Sequence, residues 1–154
     1  MRKKKCEISK DPYDLALEAA TRSHPDMKLA QSLLEKAHQG GDPRASYALA
    51  TWYLHGDKAY PVDLKQAIKL LKTAAGADID DAHFDLAYCY EVGLGIRKNL
   101  RTAYRHYLAA ALNGDEEAHA EVGRCLYYGI GVNRDRKIAD IWLRRADALG
   151  VTER

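Results

Sequence analysis

The second half of this chain is a translated copy of what precedes it. Ala82, Leu86, Ala87, Tyr90, Gly93 and Gly95, followed by Ala103, Tyr107, Ala110 and Gly114, return 36 residues later as Ala118, Val122, Gly123, Leu126, Gly129 and Gly131, followed by Ala139, Leu143, Ala146 and Gly150. Stepping back by 37 finds Ala45, Leu49, Ala50, Tyr53 and Gly56, and stepping back by 36 finds Ala67, Leu71 and Ala74. The extra residue of that earlier copy falls within Asp57 to Asp63. A partial fourth copy stands upstream at Ala30, Leu34 and Ala37. Self-similarity at this period marks a stack of supersecondary units, each too small to bury its own apolar face alone.

Each unit reads as two helices. Leu64, Ala67, Ile68, Leu71, Ala74 and Ala75 form one helical stripe, which Leu100, Ala103, Tyr104, Tyr107, Ala110 and Ala111 repeat. Asp11, Asp42, Asp63, Asn99, Asp115 and Asp135 stand where helix N-caps belong, and glycines stand where the helices should stop. The alanines let helices approach to about 8 Å, and larger residues such as Tyr53, Tyr90 and Trp142 fill the wider gaps. No alternating strand pattern of useful length is present, so the fold class is all-α.

The unit from Ala82 to Gly114, running Ala-x3-Leu-Ala-x2-Tyr-x2-Gly-x-Gly-Ile and then Ala103 and Ala110-Ala111, resembles the Sel1-like repeat, a cousin of the tetratricopeptide repeat. So does Ala118 to Gly150. The resemblance implies a right-handed α-α superhelix (solenoid) of about four helix-turn-helix units, at about 11–41, 42–77, 78–114 and 115–150, in a single domain over 11–150. Residues 1–10 are expected to be a disordered basic tail, and 151–154 a second tail. The first unit has only Ser23, His24 and Pro25 at its turn and is expected to act as the N-terminal cap. No polar helix follows Leu149, so the surface around Ile138, Ile141, Trp142 and Ala148 is expected to be covered by a second copy, as a homodimer, or by a partner.

Several chemistries are tested against the residues. Net charge is +2, with basic and acidic residues interspersed along the sequence, so neither a nucleic-acid surface nor a membrane partner is expected. An apolar leader is missing behind Arg2 to Lys5, which gives a cytoplasmic expectation. Gly93-Leu94-Gly95 and Gly129-Ile130-Gly131 follow helices, whereas phosphate loops follow strands; they read as left-handed helix ends. Glu35-x-x-His38 and Glu116-x-x-His119 occupy different helices of the repeat and cannot pair across a bundle core, so no metal or other cofactor is expected. His83 and His119 share a repeat position and read as solvated surface histidines. Cys89 and Cys125 also share a position, about 10 Å apart in such a stack and beyond disulfide reach; they read as free, buried thiols. The bridged cysteines of the family's cysteine-rich branch, whose members resemble weak hydrolases or β-lactam-binding proteins, have no counterpart in this pattern. Serine, histidine and carboxylate do not converge, so no catalytic residues and no enzyme activity are expected.

By analogy with tetratricopeptide units, the concave face is lined from the first helix of each unit. This selects Tyr47, Thr51, Leu54 and His55; Phe84, Tyr88, Glu91 and Val92; Ala120, Arg124, Tyr127 and Tyr128. Tyrosine and arginine anchor interfaces by offering large rigid area with a polar tip. The expected function is a non-catalytic scaffold or adaptor that binds a peptide or protein on this face, with Tyr47, Thr51, His55, Phe84, Tyr88, Glu91, Arg124, Tyr127 and Tyr128 as contact residues. The alternatives from the resemblance are an immunity protein that inhibits a cognate bacterial toxin and, third, a weak hydrolase or β-lactam-binding protein.

Overall fold

The computed structural model describes residues 10–56 and 61–151. Among them are eight helices: α1 (Pro12–Thr21), α2 (Met27–Gln39), α3 (Pro43–His55), α4 (Leu64–Ala75), α5 (Asp80–Val92), α6 (Leu100–Asn113), α7 (Glu117–Tyr128) and α8 (Arg136–Ala148). Each helix packs chiefly on its sequence neighbours, and the four hairpins α1–α2, α3–α4, α5–α6 and α7–α8 stack in order as an all-α solenoid. The expected tails and the extra loop residue near Asp57 fall largely on residues 1–9, 57–60 and 152–154, outside the described residues.

The helix starts follow from their caps. The side chains of Asp11, Asp63 and Asn99 accept a hydrogen bond from the backbone N–H three residues on, at 2.8, 3.0 and 3.0 Å. Asp115 caps α7 in the same way through Ala118 N at 2.8 Å, and Asp26, unnoticed in the sequence, caps α2 through Leu29 N. Such a bond satisfies one of the otherwise orphaned donors of a first turn and contributes about 1 kcal/mol. At the residue directly before the helix, Ile79 of α5 and Glu116 of α7 make no side-chain cap bond, and in α7 Asp115 supplies one from a residue further back.

The hairpins close identically. Asp63 N donates to Tyr53 O, Asn99 N to Tyr90 O and Asp135 N to Leu126 O, at 3.0, 2.8 and 2.9 Å. The longer first loop therefore re-enters its second helix in the same register as the others. In the short α1–α2 hairpin, Asp26 N donates to Ala19 O at 2.9 Å, which aligns Ala16 with Ala50 and Leu15 with Leu49.

The repeated columns form the core. Ala45, Ala82 and Ala118 are fully buried, as are Ala67 and Ala74 and their counterparts Ala110, Ala139 and Ala146. Leu49, Leu86 and Val122 occupy one column and are all buried. Each such side chain contributes about 1.5–3 kcal/mol by leaving water. Cys89 and Cys125 are buried and free, and burial pushes both thiols up to about 11.

The two ends of the stack differ from its interior. The positions through which a second helix meets the next unit are mostly apolar inside the stack: Leu64, Ile68 and Ala75 on α4, with Lys72 the polar member, and Leu100, Tyr104, Leu108 and Ala111 on α6. On α8 the same positions hold Arg136, Asp140, Arg144 and Asp147, and Arg144 pairs with Asp140 at 2.7 Å. The onward face of α8 is thus polar. Ile138 and Ile141 are exposed on another side, while Trp142 is partly buried against His119. At the other end Leu15 is 39% exposed where its counterpart Leu86 is 1% exposed. Leu29 is exposed as well and lines a shallow cleft with Leu15 and Leu33, so the first hairpin presents an apolar face at this end.

Candidate functional site

The first helices α3, α5 and α7 put their repeat mates side by side, so the selected residues share one face. The structure divides them into two groups. In the first, side chains tie neighbouring units together. Tyr47 Oη on α3 donates to Asp85 Oδ2 on α5 at 3.2 Å. The Arg124 guanidinium on α7 donates to both carboxylate oxygens of Glu91 on α5, at 2.9 and 2.8 Å, and to Glu121 at 2.7 Å. Tyr107 Oη on α6 completes the network by donating to Glu91 at 2.9 Å. Burial works against the Arg124 charge, but the Glu121 and Glu91 carboxylates outweigh it and hold its pKa above the usual value. Burial, then the hydrogen bond to Glu91, raises the Tyr107 hydroxyl. Phe84 packs edge-on against Tyr107, with ring centroids 5.4 Å apart, and Thr51 donates to Ala48 O of its own helix. Leu54 belongs to the core.

The second group faces outward. Tyr88 is 51% exposed and Tyr128 69% exposed, and His55 and Val92 share the Tyr128 column on neighbouring helices. Tyr127 meets Tyr128 in a T-shaped contact at 4.9 Å and carries the Arg136 guanidinium over its other side at 5.0 Å. Rigid, exposed aromatics of this kind supply contact area at low entropic cost.

Carboxylates accompany the tyrosines, and the sequence reading passed over them. Asp81 and Glu117 occupy one column and Asp85 and Glu121 the next, on the same side of α5 and α7 as Tyr88. Burial raises the Asp81 carboxyl above its ordinary value, and the neighbouring charges of Asp80, Asp115 and Glu117 add to the rise. Burial likewise raises Asp85, the hydrogen bond from Tyr47 works in the other direction, and Asp81 adds to the rise. The face therefore carries crowded negative charge, which a cationic group would relieve. The signal that could have found it is the 36-residue spacing of the acids themselves.

The histidines correct the sequence reading. His83 is buried, not solvated, and its Nδ1 lies 2.9 Å from Nδ1 of His106 on α6. His106 in turn stacks on Tyr90 at 5.7 Å. His119 is partly buried, with Nδ1 2.9 Å from Asp115 O and its ring 5.4 Å from Trp142. The two pairs are equivalent: a first-helix histidine against a second-helix ring, one unit apart. Among the described residues no group of three or more His, Cys, Asp or Glu side chains could hold a metal ion.

Comparison with known proteins settles the family. The Sel1 repeat model matches residues 43–78, 80–115 and 116–151. The chain belongs to the Sel1 repeat family. The α1–α2 hairpin lies outside the matched units and is joined to them as a fourth. Two curated Sel1 repeat relatives are the chitin synthase regulator SKT5 of Saccharomyces cerevisiae, 35% identical over 94 residues, and the DAP3-binding cell death enhancer 1 of Mus musculus, 35% identical over 96 residues. Those alignments cover 60% and 62% of this chain but only 14% and 18% of the relatives, so the chain spans less than a fifth of either protein. Among solved structures, the protective antigen c5321 of uropathogenic Escherichia coli superposes with a TM-score of 0.84 at 25% identity, covering 90% of this chain and 30% of that one. A Sel1 repeat protein from Oxalobacter formigenes gives 0.81 at 24% identity, covering 90% of this chain and 57% of that one. The cysteine-rich protein B of Helicobacter pylori gives 0.63 at 22% identity, over 87% and 96%, and shares the fold alone. Sel1 repeats are a protein-interaction fold, and regulators and binders are among the relatives.

Proposed function

We propose that this Sel1 repeat protein is a non-catalytic scaffold whose first-helix face clasps an extended, basic segment of a protein partner. One observation carries the reading: Tyr88 and Tyr128 stand exposed on the same helical face as the crowded carboxylates of Asp81 and Glu117. Aromatic side chains supply the affinity, and the carboxylates select for positive charge. Arg124 and Glu91 act within this reading by locking α5 to α7, so that the face keeps its spacing. Cytoplasmic placement is supported by the buried free thiols of Cys89 and Cys125. No helix among the described residues is long and apolar enough to cross a membrane.

Affinity capture from source lysate tests the reading, with wild type compared against Tyr88→Ala plus Tyr128→Ala. Two lost anchors should weaken capture by about thirtyfold to several hundredfold, at about 1–2 kcal/mol each for partly buried contacts. Capture of the same proteins by both would remove the face from the argument. The same experiment separates the finer readings. An adaptor releases its partner at moderate salt and binds the isolated peptide segment, whereas an immunity protein holds one folded toxin tightly and ignores its fragments.

A further inference from the structure

The helix assignment sorts charges that look mixed along the chain. The acids of the third unit gather on its first helix: α5 carries Asp80, Asp81, Asp85 and Glu91 and no lysine or arginine. The second helices on either side are the reverse. Lys65, Lys69 and Lys72 lie on α4 with no acid, and Arg101 and Arg105 on α6 with no acid. The repeat places these cations in register. Lys28, Lys65, Arg101 and Lys137 occupy a single position across all four units, and Lys69 and Arg105 share a second position one turn further on. All six are exposed, and none makes an ion pair among the described residues. Arg101 and Arg105 flank a cleft of about 690 Å³ that they share with Tyr104 and the Gly129–Asn133 loop of the next unit.

We infer that the second-helix face is a second docking surface, and that its occupant is an extended acidic segment of a protein, with carboxylates spaced to meet one cation per unit. Charge complementarity and spacing argue for this occupant. Neighbouring units in a helical stack sit about 10 Å apart, close to one turn of an extended polyproline II chain, whose three residues rise about 3.1 Å each and return every third side chain to the same side. A carboxylate at every third residue therefore meets Lys28, Lys65, Arg101 and Lys137 in turn. A nucleic-acid strand carries charge at about 3.4 Å intervals and asks for a denser basic track with stacking rings, and no aromatic recurs in either basic column. A membrane surface asks for a continuous band of apolar groups among the cations; exposed Ile138 and Ile141 flank Lys137 on α8, but the exposed positions of α4 are Lys65, Lys69, Lys72 and Thr73. The surface is separate from the tyrosine face of the proposed function and opposite to it in sign, so the scaffold would hold a basic partner on one side and an acidic one on the other.

The test is fluorescence anisotropy of a labelled peptide of about 15 residues with glutamate at every third position and glycine and serine between, at about 20 mM salt. The full chain should bind it in the micromolar range. Lys65→Glu/Arg101→Glu/Lys137→Glu should weaken binding by at least about tenfold, and Tyr88→Ala should leave it within about twofold. If the charge-reversed protein loses its helical circular dichroism, the Gln substitutions at the same three sites replace it, with a loss of about fivefold expected. Unchanged affinity in the folded triple variant would overturn the inference. So would tighter binding of a single-stranded oligonucleotide of equal length, or of vesicles containing phosphatidylserine, because either would name a different occupant.

Discussion

The two glycines of each Gly-x-Gly loop have different tasks, which the sequence pattern alone does not distinguish. Gly93 and Gly129 end their helices in the left-handed region, and a Cβ there would meet nothing closer than 3.4 Å. Gly95 and Gly131 also have positive φ, but they press against the start of the preceding second helix: a Cβ on Gly131 would lie 2.0 Å from Leu100 O. Left-handed strain alone costs about 1–2 kcal/mol, and overpacking adds about 1–3. Gly131→Ala should therefore destabilise by roughly 2–5 kcal/mol and Gly93→Ala by only about 1–2, read from urea midpoints at unchanged slope. Equal losses at the two sites would show that conformation, not contact, governs this loop. A second residue-scale consequence concerns His106, whose pKa is lowered to about 4 by burial first and then by the charges of His83, Lys72 and Arg105. The neutral ring is the form the fold favours. Its stabilisation is complete above the unfolded value of about 6.5 and is lost as pH falls from there through about 4. The raised carboxyls of Asp81 and Asp85 act in the opposite sense, from the ordinary carboxylate value of about 3.8 upward. Between pH 6.5 and 5 the melting temperature should fall by a few degrees, and His106→Leu, which installs the residue found at Leu70 one unit earlier, should remove most of that slope. A slope that persists in the variant would assign the effect to another group.

At the scale of helices and loops, what the sequence disclosed depended on whether a residue's task is local. Alanine columns, Asp and Asn caps and helix-ending glycines follow from backbone geometry within one hairpin, so their 36-residue spacing was enough to place them. The tie from Arg124 to Glu91 was not readable, because both residues satisfied the rule for a binding face and only their mutual distance shows that they bind each other. The histidines failed for a related reason. A polar ring looks solvated until the ring opposite it is known, and His83 is buried by His106 from the other helix of its hairpin. The sorting of charge is hidden along the chain because residues of both signs lie within a few positions of one another, and it appears only when α4, α5 and α6 are separated as bodies. The polarity of the far end was legible in principle: Arg136 stands in the column of Leu64 and Leu100, and Asp140 in that of Ile68 and Tyr104, and comparing those columns position by position would have marked α8 as the helix that turns a polar side outward.

For the molecule as a whole, stability should run along the stack rather than be shared evenly. A solenoid unit is held by its own hairpin and by the interfaces on either side, so a unit with one apolar interface uncovered opens more readily than an interior one. The first hairpin is that unit: Leu15 and Leu29 are 39% and 43% exposed, and α1 buries only Ala16 and Ala19. In the interior, α4 buries six residues and the Leu86 column is closed on both sides. At the far end, opening α8 exposes little further apolar surface on its onward face, since Asp140 and Arg144 already stand in water there. Native-state hydrogen exchange should therefore show the lowest protection in α1, the highest in α4 to α6 and intermediate values in α8, with α1 less protected than α5 by about 2 kcal/mol or more, the scale of one interface leucine. Amides of α1 as slow as those of α5 would mean that all four hairpins open together, and the exposed leucines of the first hairpin would then need a covering that the isolated chain does not supply.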